Sequence, residues 1–255
     1  YFYQYFNKMN IKQYLDSTYL KTAEQANISE KENTVLVQNF VQETIDENFK
    51  LVMIRPDKVA LAKKLIDSQN SKVLIGTVIG FPEGTNSVED KLAEAKQAIK
   101  DGADELDFVV NFEAFKSGEI DLVKEEVFLA TQLGLQHNKT VKWIIEIAAL
   151  NGAQIIQLTS LIKNLVVSNF KEKDFENVFV KSSTGFYKTI DGSPNGATFP
   201  AIIAMLENAF PLQVKASGGI KTKEEALEMI KLGVKRIGTS SAKAISEGAT
   251  VSGEY

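Results

Sequence analysis

Short apolar segments alternate with helical segments along almost the whole chain, and this alternation constrains the fold more than any other feature. Eight segments of strand character lie between Leu15 and Gly238, and each precedes a stretch with helical spacing or helix-start signals. Such strict alternation predicts a parallel sheet. Eight units in 255 residues favour an α/β fold with a single closed (β/α)8 TIM barrel over an open doubly wound sheet.

No compositional break or linker divides the chain after Met9, so we expect one domain over residues 9–255. Residues 1–8 are aromatic, but polar residues interrupt them and they lack the pattern of a signal peptide. We therefore interpret this octet as an upstream extension or a cloning remnant. Helix-end signals are expected at Ser29, Asp57, Gly102, Thr222 and Gly233.

Composition excludes several classes of function. The net charge of −4 without a basic stripe argues against nucleic acid or a membrane surface as a partner. The chain has no cysteine, and its one histidine, His137, lies in a polar segment where we expect it to be solvated. Zinc chemistry and a histidine-dependent serine triad are therefore not expected. We expect a cytoplasmic protein without a metal or another cofactor.

Lys181 ends an apolar segment, immediately before three hydroxylated residues and a glycine. The carboxyl end of a barrel strand lies at the mouth of the barrel, where enzymes of this fold carry their sites. Desolvation disfavours the ammonium form, so a lysine there is expected to have a lowered pKa and to act as a nucleophile. The alternative is a lysine whose stem covers apolar surface while its amine reaches water.

Lys215 ends the seventh strand in the same way and is expected beside Lys181. Two ammonium groups at one mouth repel each other, so one of them should lose its proton more easily. The alternative is a pair of solvated lysines near an anion site.

Acidic residues lie within or at the ends of three apolar strands, namely Asp16, Asp107 and Glu146. A buried carboxylate needs a partner, because an isolated buried charge is costly. For Asp107 the natural partner is a lysine across the barrel, and Asp16 is a candidate of the same kind. For Glu146 we expect a structural ion pair.

Glycine-rich segments follow strands six, seven and eight. Glycines let backbone amides approach an anion, and barrels often bind phosphate after strands seven and eight. The candidate phosphate-binding residues are Thr184, Gly185, Gly218, Gly219, Gly238, Thr239, Ser240 and Ser241. The remaining chemistry is amine chemistry on a phosphorylated carbonyl compound.

These motifs together resemble the deoxyribose-phosphate aldolase family over nearly the whole chain after Met9. The matching pieces are LDST at 15–18, VIGFPEG at 78–84, GADELD at 102–107, VKSSTGF at 180–186, NGAT at 195–198, VKASGGI at 214–220 and RIGTSS at 236–241.

The resemblance implies a cofactor-free class I aldolase that cleaves 2-deoxy-D-ribose 5-phosphate through a lysine Schiff base. It implies that Lys181 forms the imine, that Lys215 depresses the pKa of Lys181, and that Asp107 relays protons with Lys215 and a water. Tyr255, the last residue, is a candidate to reach back into the site, although a flexible tail is the alternative. Asp16 and Thr18 are candidates to bind the sugar.

Some positions depart from the usual family pattern. They are Ser17, Met53, Ile147, Phe186 and the longer loop at 187–194. None coincides with the three predicted catalytic residues, so the departures concern substrate range and phosphate affinity.

Two further hypotheses remain open at this point. One is a different phosphosugar barrel, a lyase or isomerase that uses the phosphate pocket without an imine. The other is a phosphosugar-binding barrel without turnover. In each case the partner is a small phosphorylated sugar, and a homodimer or larger homo-oligomer is a candidate assembly.

Overall fold

Eight parallel strands form a closed barrel in the computed structural model, which describes residues 9–190 and 192–249. Each strand pairs with the next in the chain, and β1 closes the barrel against β8. The predicted TIM barrel is therefore confirmed. The strands are β1 Leu15–Thr18, β2 Leu51–Ile54, β3 Leu74–Ile79, β4 Glu105–Val109, β5 Thr140–Ile144, β6 Val178–Lys181, β7 Gln213–Ser217 and β8 Arg236–Thr239.

Helices lie between successive strands, as the parallel arrangement requires. In chain order they are α1 Ala23–Ala26, α2 Glu30–Asp46, α3 Val59–Ser68, α4 Val88–Asp101, α5 Phe112–Ser117, α6 Ile120–Gln136, α7 Gly152–Asn169, α8 Phe199–Ala209, α9 Lys223–Leu232 and α10 Ala242–Glu247. None of these helices is long and apolar enough to cross a membrane.

Most predicted helix ends are confirmed. Ser29 and Thr222 form capping boxes at the starts of α2 and α9, and Gly102 and Gly233 end α4 and α9 with left-handed backbone. The prediction for Asp57 is wrong. It lies inside a short 3-10 helix, Pro56–Lys58, which leads directly into α3 without a side-chain cap.

The main hydrophobic core lies between the barrel and its helices, because alternate residues of each strand face outward. On β4 and β5, Phe108 stacks on Trp143, whose indole N–H donates to Thr131 Oγ1 on α6 at 3.0 Å. Strand residues of the other parity face the barrel axis. On the six strands β4 to β8 and β1, many of these inward residues are charged rather than apolar.

Candidate active site

Lys181 lies at the end of β6 and is 3% exposed. Its Nζ donates to Oδ2 of Asp107 on β4 at 2.9 Å. The alternative of a lysine that reaches bulk water is therefore wrong. The lysine is held instead by a carboxylate two strands away, and both groups face the barrel axis.

Asp107 accepts hydrogen bonds from three lysines. Besides Lys181, Lys215 donates to Oδ2 at 3.0 Å and Lys142 donates to Oδ1 at 2.6 Å. The structure thus brings together the three residues predicted for catalysis and adds Lys142. Sequence reasoning missed Lys142, although a lysine inside the apolar segment 141–145 was a signal comparable to Asp107 itself.

A second layer of charge supports this cluster. Asp16 on β1 lies 2.6 Å from Lys215 Nζ and 2.5 Å from an Arg236 nitrogen. Arg236 also binds Glu105 through two nitrogens, at 2.9 and 3.0 Å, and Glu105 lies 2.6 Å from Lys142. Arg236 and Glu105 were not predicted from the sequence as site residues. Their alternation with apolar neighbours on β8 and β4 was the available signal.

Asp16 and Thr18, the two residues predicted to bind the sugar, both lie on β1 and are buried. Asp16 is fully buried between Lys215 and Arg236, and its carbonyl accepts from the Thr18 hydroxyl at 2.8 Å. Lys215 Nζ thus lies within ion-pair distance of both Asp16 and Asp107.

The balance of charge in this cluster leaves one cation in excess. Four basic side chains, Lys142, Lys181, Lys215 and Arg236, face three carboxylates, Asp16, Asp107 and Glu105. Loss of one proton would neutralise the set. Of the four basic groups, only Lys181 is the last residue of its strand; the prediction that Lys215 ends strand seven is wrong, because β7 continues to Ser217.

Burial lowers the pKa of Lys181 to about 8, and the charges of Lys215 and Lys142 act in the same direction while Asp107 opposes them. At pH 7 such an amine is unprotonated in roughly one molecule in ten, far more often than a solvated lysine. The amine is therefore available as a nucleophile near neutral pH.

Asp107 stays ionised over the same range. Burial alone would raise its pKa, but the charges of Lys142, Lys181 and Lys215 outweigh burial and hold the pKa well below its usual value. The pKa of Lys142 is raised, because Asp107, Glu105 and Asp16 together outweigh its burial. The pKa values of Lys142 and Lys181 thus shift in opposite directions, and Lys142 remains a cation in the pH range where Lys181 loses its proton.

Glu146 does not form the predicted ion pair. Among the described residues its Oε2 accepts from the backbone N–H of Thr184 at 3.1 Å and from the Thr184 hydroxyl, and no cation lies within ion-pair distance. It follows β5 rather than lying within it, at a left-handed backbone position with φ 55°. The prediction failed because the pattern of residues 141–148 looked like one continuous strand.

Three glycine segments meet at the rim beyond Lys181. Gly218 lies so close to Gly196 that a Cβ on Gly196 would stand 2.3 Å from the Gly218 carbonyl carbon, and Gly185 Cα is 3.7 Å from the Cβ position of Gly218. Asn195 Nδ2 donates to the Gly185 carbonyl at 3.1 Å. The contact between Gly196 and Gly218 requires glycine at both positions, because a Cβ on either residue would collide with the backbone of the other.

The amides of this rim are suited to an anion. Gly185, Gly218 and Gly219 have positive φ angles of 82°, 80° and 76°. Within the described residues, none of their N–H groups donates a hydrogen bond. Successive free amides in such conformations form anion-binding concavities.

The phosphate-binding residues predicted after strand eight have different surroundings in the structure. Gly238 lies within β8, and a Cβ there would stand 3.1 Å from Lys215 Cε, so this glycine makes room for the lysine. The Thr239 hydroxyl donates to the Ile220 carbonyl at 3.2 Å and accepts from the Ser241 amide at 3.1 Å. Ser240 and Ser241 lead into the short helix α10.

An apolar wall lies on the remaining two strands, β2 and β3. Leu20, Met53 and Val78 form a buried cluster, and Phe81 and Phe186 pack against it and against each other, edge to face. Two of the positions that depart from the family pattern, Met53 and Phe186, lie on this wall.

His137 is exposed at the end of α6, as predicted. Residues 1–8 and Tyr255 lie outside the described residues.

Comparison with known proteins agrees with this geometry. A family model described as DeoC/LacD family aldolase matches residues 14–251. The deoxyribose-phosphate aldolase of Thermococcus kodakarensis is 37% identical over 244 residues, which is 95% of this chain and 98% of the relative. That of Lactiplantibacillus plantarum is 36% identical over 241 residues, 93% of this chain and 99% of the relative.

Solved structures give the same result. An aldolase named QR15 superposes with a TM-score of 0.78 at 33% identity, covering 94% of this chain and 95% of that one. The tetrameric deoxyribose phosphate aldolase of Aeropyrum pernix superposes with a TM-score of 0.73 at 28% identity, covering 93% and 89%. With a family match over almost its whole length and a barrel of the same architecture, the chain belongs to the DeoC/LacD family of aldolases.

Proposed function

We propose that this aldolase cleaves 2-deoxy-D-ribose 5-phosphate reversibly to D-glyceraldehyde 3-phosphate and acetaldehyde, through a Schiff base on Lys181. The observation that carries the proposal is the position of Lys181, buried at the barrel mouth 2.9 Å from Asp107 with a pKa of about 8. The names of the similar proteins support the substrate.

The reaction needs only groups that this chain supplies. The neutral amine of Lys181 attacks C1 of the open-chain sugar, and loss of water leaves a protonated imine. A base removes the proton of the C3 hydroxyl, the C2–C3 bond breaks, and its electron pair moves into the imine to give an enamine. Glyceraldehyde 3-phosphate leaves. Protonation of the enamine at C2 and hydrolysis then release acetaldehyde and free Lys181.

Asp107 and Lys215 are placed to handle the protons of these steps. Both contact the amine or its carboxylate partner directly, and a carboxylate with a bridging water can move protons between the amine and the substrate. Tyr255 remains a candidate for C2 proton transfer. Asp16 acts, in this proposal, by holding Lys215, while a contact of Thr18 with the sugar remains a prediction.

The phosphate is proposed to bind at the glycine rim. The free amides of Gly185, Gly218 and Gly219 would donate to it, with Ser240 and Ser241 at the neighbouring edge. No metal or cofactor enters the proposal. We also propose a homo-oligomer, by analogy with the tetrameric relative, and a cytoplasmic location.

The decisive test is reduction with borohydride in the presence of acetaldehyde, followed by peptide mapping. We expect an ethyl group on Lys181 in the parent protein and none at the exposed Lys72. Lys181→Ala should lose both the label and the cleavage of deoxyribose 5-phosphate. Cleavage without a label would indicate a lyase that does not use an imine, and rearrangement of the sugar without cleavage would indicate an isomerase. Binding of the sugar without turnover would indicate a binding barrel.

A further inference from the structure

Glu146 is a buried carboxyl that the proposed chemistry does not use. It is 1% exposed, and its Oε1 has no hydrogen-bond partner among the described residues. Its backbone has φ 55° and ψ 71°, a region that residues other than glycine rarely adopt. Such strain persists only where the surrounding structure enforces it, and it is concentrated at functional sites.

The backbone on both sides of Glu146 is fixed to the lysine strand. Ile145 N donates to the Lys181 carbonyl at 3.0 Å, and Ile147 N donates to the Ser182 carbonyl at 2.9 Å. Between these two anchors, the side chain of Glu146 reaches forward to Thr184, where Oε2 accepts from both the amide and the hydroxyl. Hydrogen bonds from residues 145–147, at the end of β5, thus hold the segment that follows Lys181 in place.

These hydrogen bonds fix the turn formed by residues 184–186. The Thr184 hydroxyl, whose proton is donated to Glu146, accepts in turn from the Phe186 amide at 3.0 Å. The donors on either side of Gly185 are therefore engaged, whereas the Gly185 amide between them has no acceptor among residues 9–190 and 192–249. Asn195 holds the Gly185 carbonyl from the other side. Thr184 is consequently committed to internal bonds and is not free to donate its hydroxyl proton to a ligand.

We propose that Glu146 is a positioning residue for phosphate recognition: by holding Thr184 it aims the Gly185 amide at the 5-phosphate of the substrate. This inference rests on the proposed function and names the device behind one of its binding contacts. Glu146 never touches substrate. Thr184 likewise contributes through its bonds to Glu146 and Phe186 rather than as a direct ligand.

The surroundings of Glu146 fit such a role. Burial raises its pKa to about 7, with the hydrogen bonds from Thr184 and the charge of Lys181 opposing that rise. A carboxyl placed only for stability would be expected to have a cation beside it or both oxygens bonded. Here one oxygen carries the whole contact, and that contact is directed at one turn.

The test compares deoxyribose 5-phosphate with unphosphorylated deoxyribose as substrates. Glu146→Gln keeps the shape but weakens the acceptor, and we expect the ratio of kcat/KM between the two sugars to fall about tenfold, mainly through KM for the phosphorylated one. Thr184→Val should do the same, and the double variant should add little further loss. Glu113→Gln removes an exposed carboxylate at the same rim and serves as the control.

A second readout does not depend on turnover. Inorganic phosphate that binds the folded protein raises its melting temperature, and this rise should be smaller in Glu146→Gln and Thr184→Val than in the parent and in Glu113→Gln. An unchanged sugar ratio and an unchanged phosphate effect in Glu146→Gln would overturn the inference. Borohydride labelling of Lys181 in the parent decides the proposed function separately, so that failure of one is distinguishable from failure of the other.

Discussion

Lys181 and Lys215 lie in register on neighbouring strands and donate to the same oxygen, Asp107 Oδ2, at 2.9 and 3.0 Å. One carboxylate oxygen thus keeps two like charges close together. Asp107 attracts both ammonium groups, while the charge of Lys215 makes the proton of Lys181 easier to lose. Because Lys215 is also held by Asp16, Lys181 is the member of the pair with fewer carboxylate partners.

Lys181→Met should abolish cleavage yet stabilise the fold. The pKa of Lys181 in the folded protein, about 8, lies below its ordinary 10.5, so the unfolded chain binds more protons between these values. The contribution of Lys181 to stability therefore rises with pH from about 8 to 10.5, and at pH 7 the buried amine costs up to about 3 kcal/mol. We expect the free energy of unfolding at pH 7 to rise by about 1–3 kcal/mol.

Chemical denaturation measures this effect, with Lys72→Met as an exposed control. The gain should shrink as the pH approaches 10.5. A destabilised Lys181→Met protein at pH 7 would contradict the lowered pKa.

Lys215→Leu should slow turnover by roughly a hundredfold at pH 7 with the fold intact, because it removes a proton-transfer group. It also removes a positive charge that lowers the pKa of Lys181. The rate of borohydride trapping should therefore rise with pH around a midpoint near 8 in the parent, and around a higher midpoint in the variant. Lys235→Leu, at an exposed position before β8, is the control. An unchanged midpoint in Lys215→Leu would show that Lys215 does not lower the pKa of Lys181.

Asp107→Asn should abolish activity and destabilise the protein by about 3–5 kcal/mol, because three buried lysines lose their shared carboxylate. Thermal unfolding measures the loss. Adding Lys181→Met to this variant removes one of the unpaired cations, and it should raise the free energy of unfolding by more than the roughly 1–3 kcal/mol expected for Lys181→Met in the parent. If the two substitutions were simply additive, the cluster would not act as a unit.

Gly238→Ala should lower turnover about tenfold with little loss of stability. The added Cβ would stand 3.1 Å from Lys215 Cε and 3.0 Å from Ser217 Cβ, so Lys215 must shift by a few tenths of an ångström within its ion pairs. Gly152→Ala, which meets nothing within 4 Å, is the matched control. Steady-state kinetics with both variants tests whether Gly238 serves the lysine rather than the phosphate.

Local patterns were sufficient for the elements and for most of their ends. Ser29, Thr222, Gly102 and Gly233 act within one helical turn of their own position, so neighbouring residues decide their role. The prediction of a helix cap at Asp57 failed because Pro56 starts a short 3-10 helix, so that Asp57 lies inside a helical turn rather than before it. The helix α5 was missed because six residues are too few to show a period.

Local patterns could not predict which residues form ion pairs or hydrogen bonds across the barrel. Glu146 was expected to meet a cation and instead holds Thr184, 38 residues away. The partners of Lys142 and Arg236 could not be predicted, because a charge inside an apolar strand reveals only that some partner exists. Which partner it is depends on the register of strands that are distant in the chain.

The order of residues alone determined the eightfold alternation, the closed barrel that it builds, and the lysine that ends strand six, because hydrophobic period and strand ends are local properties. Tertiary structure decided which charges face one another: Arg236 with Asp16 across 220 positions, and Lys215 with Asp107 across 108. The physical reason is that an ion pair depends on distance in space, and closure of the barrel alone sets that distance.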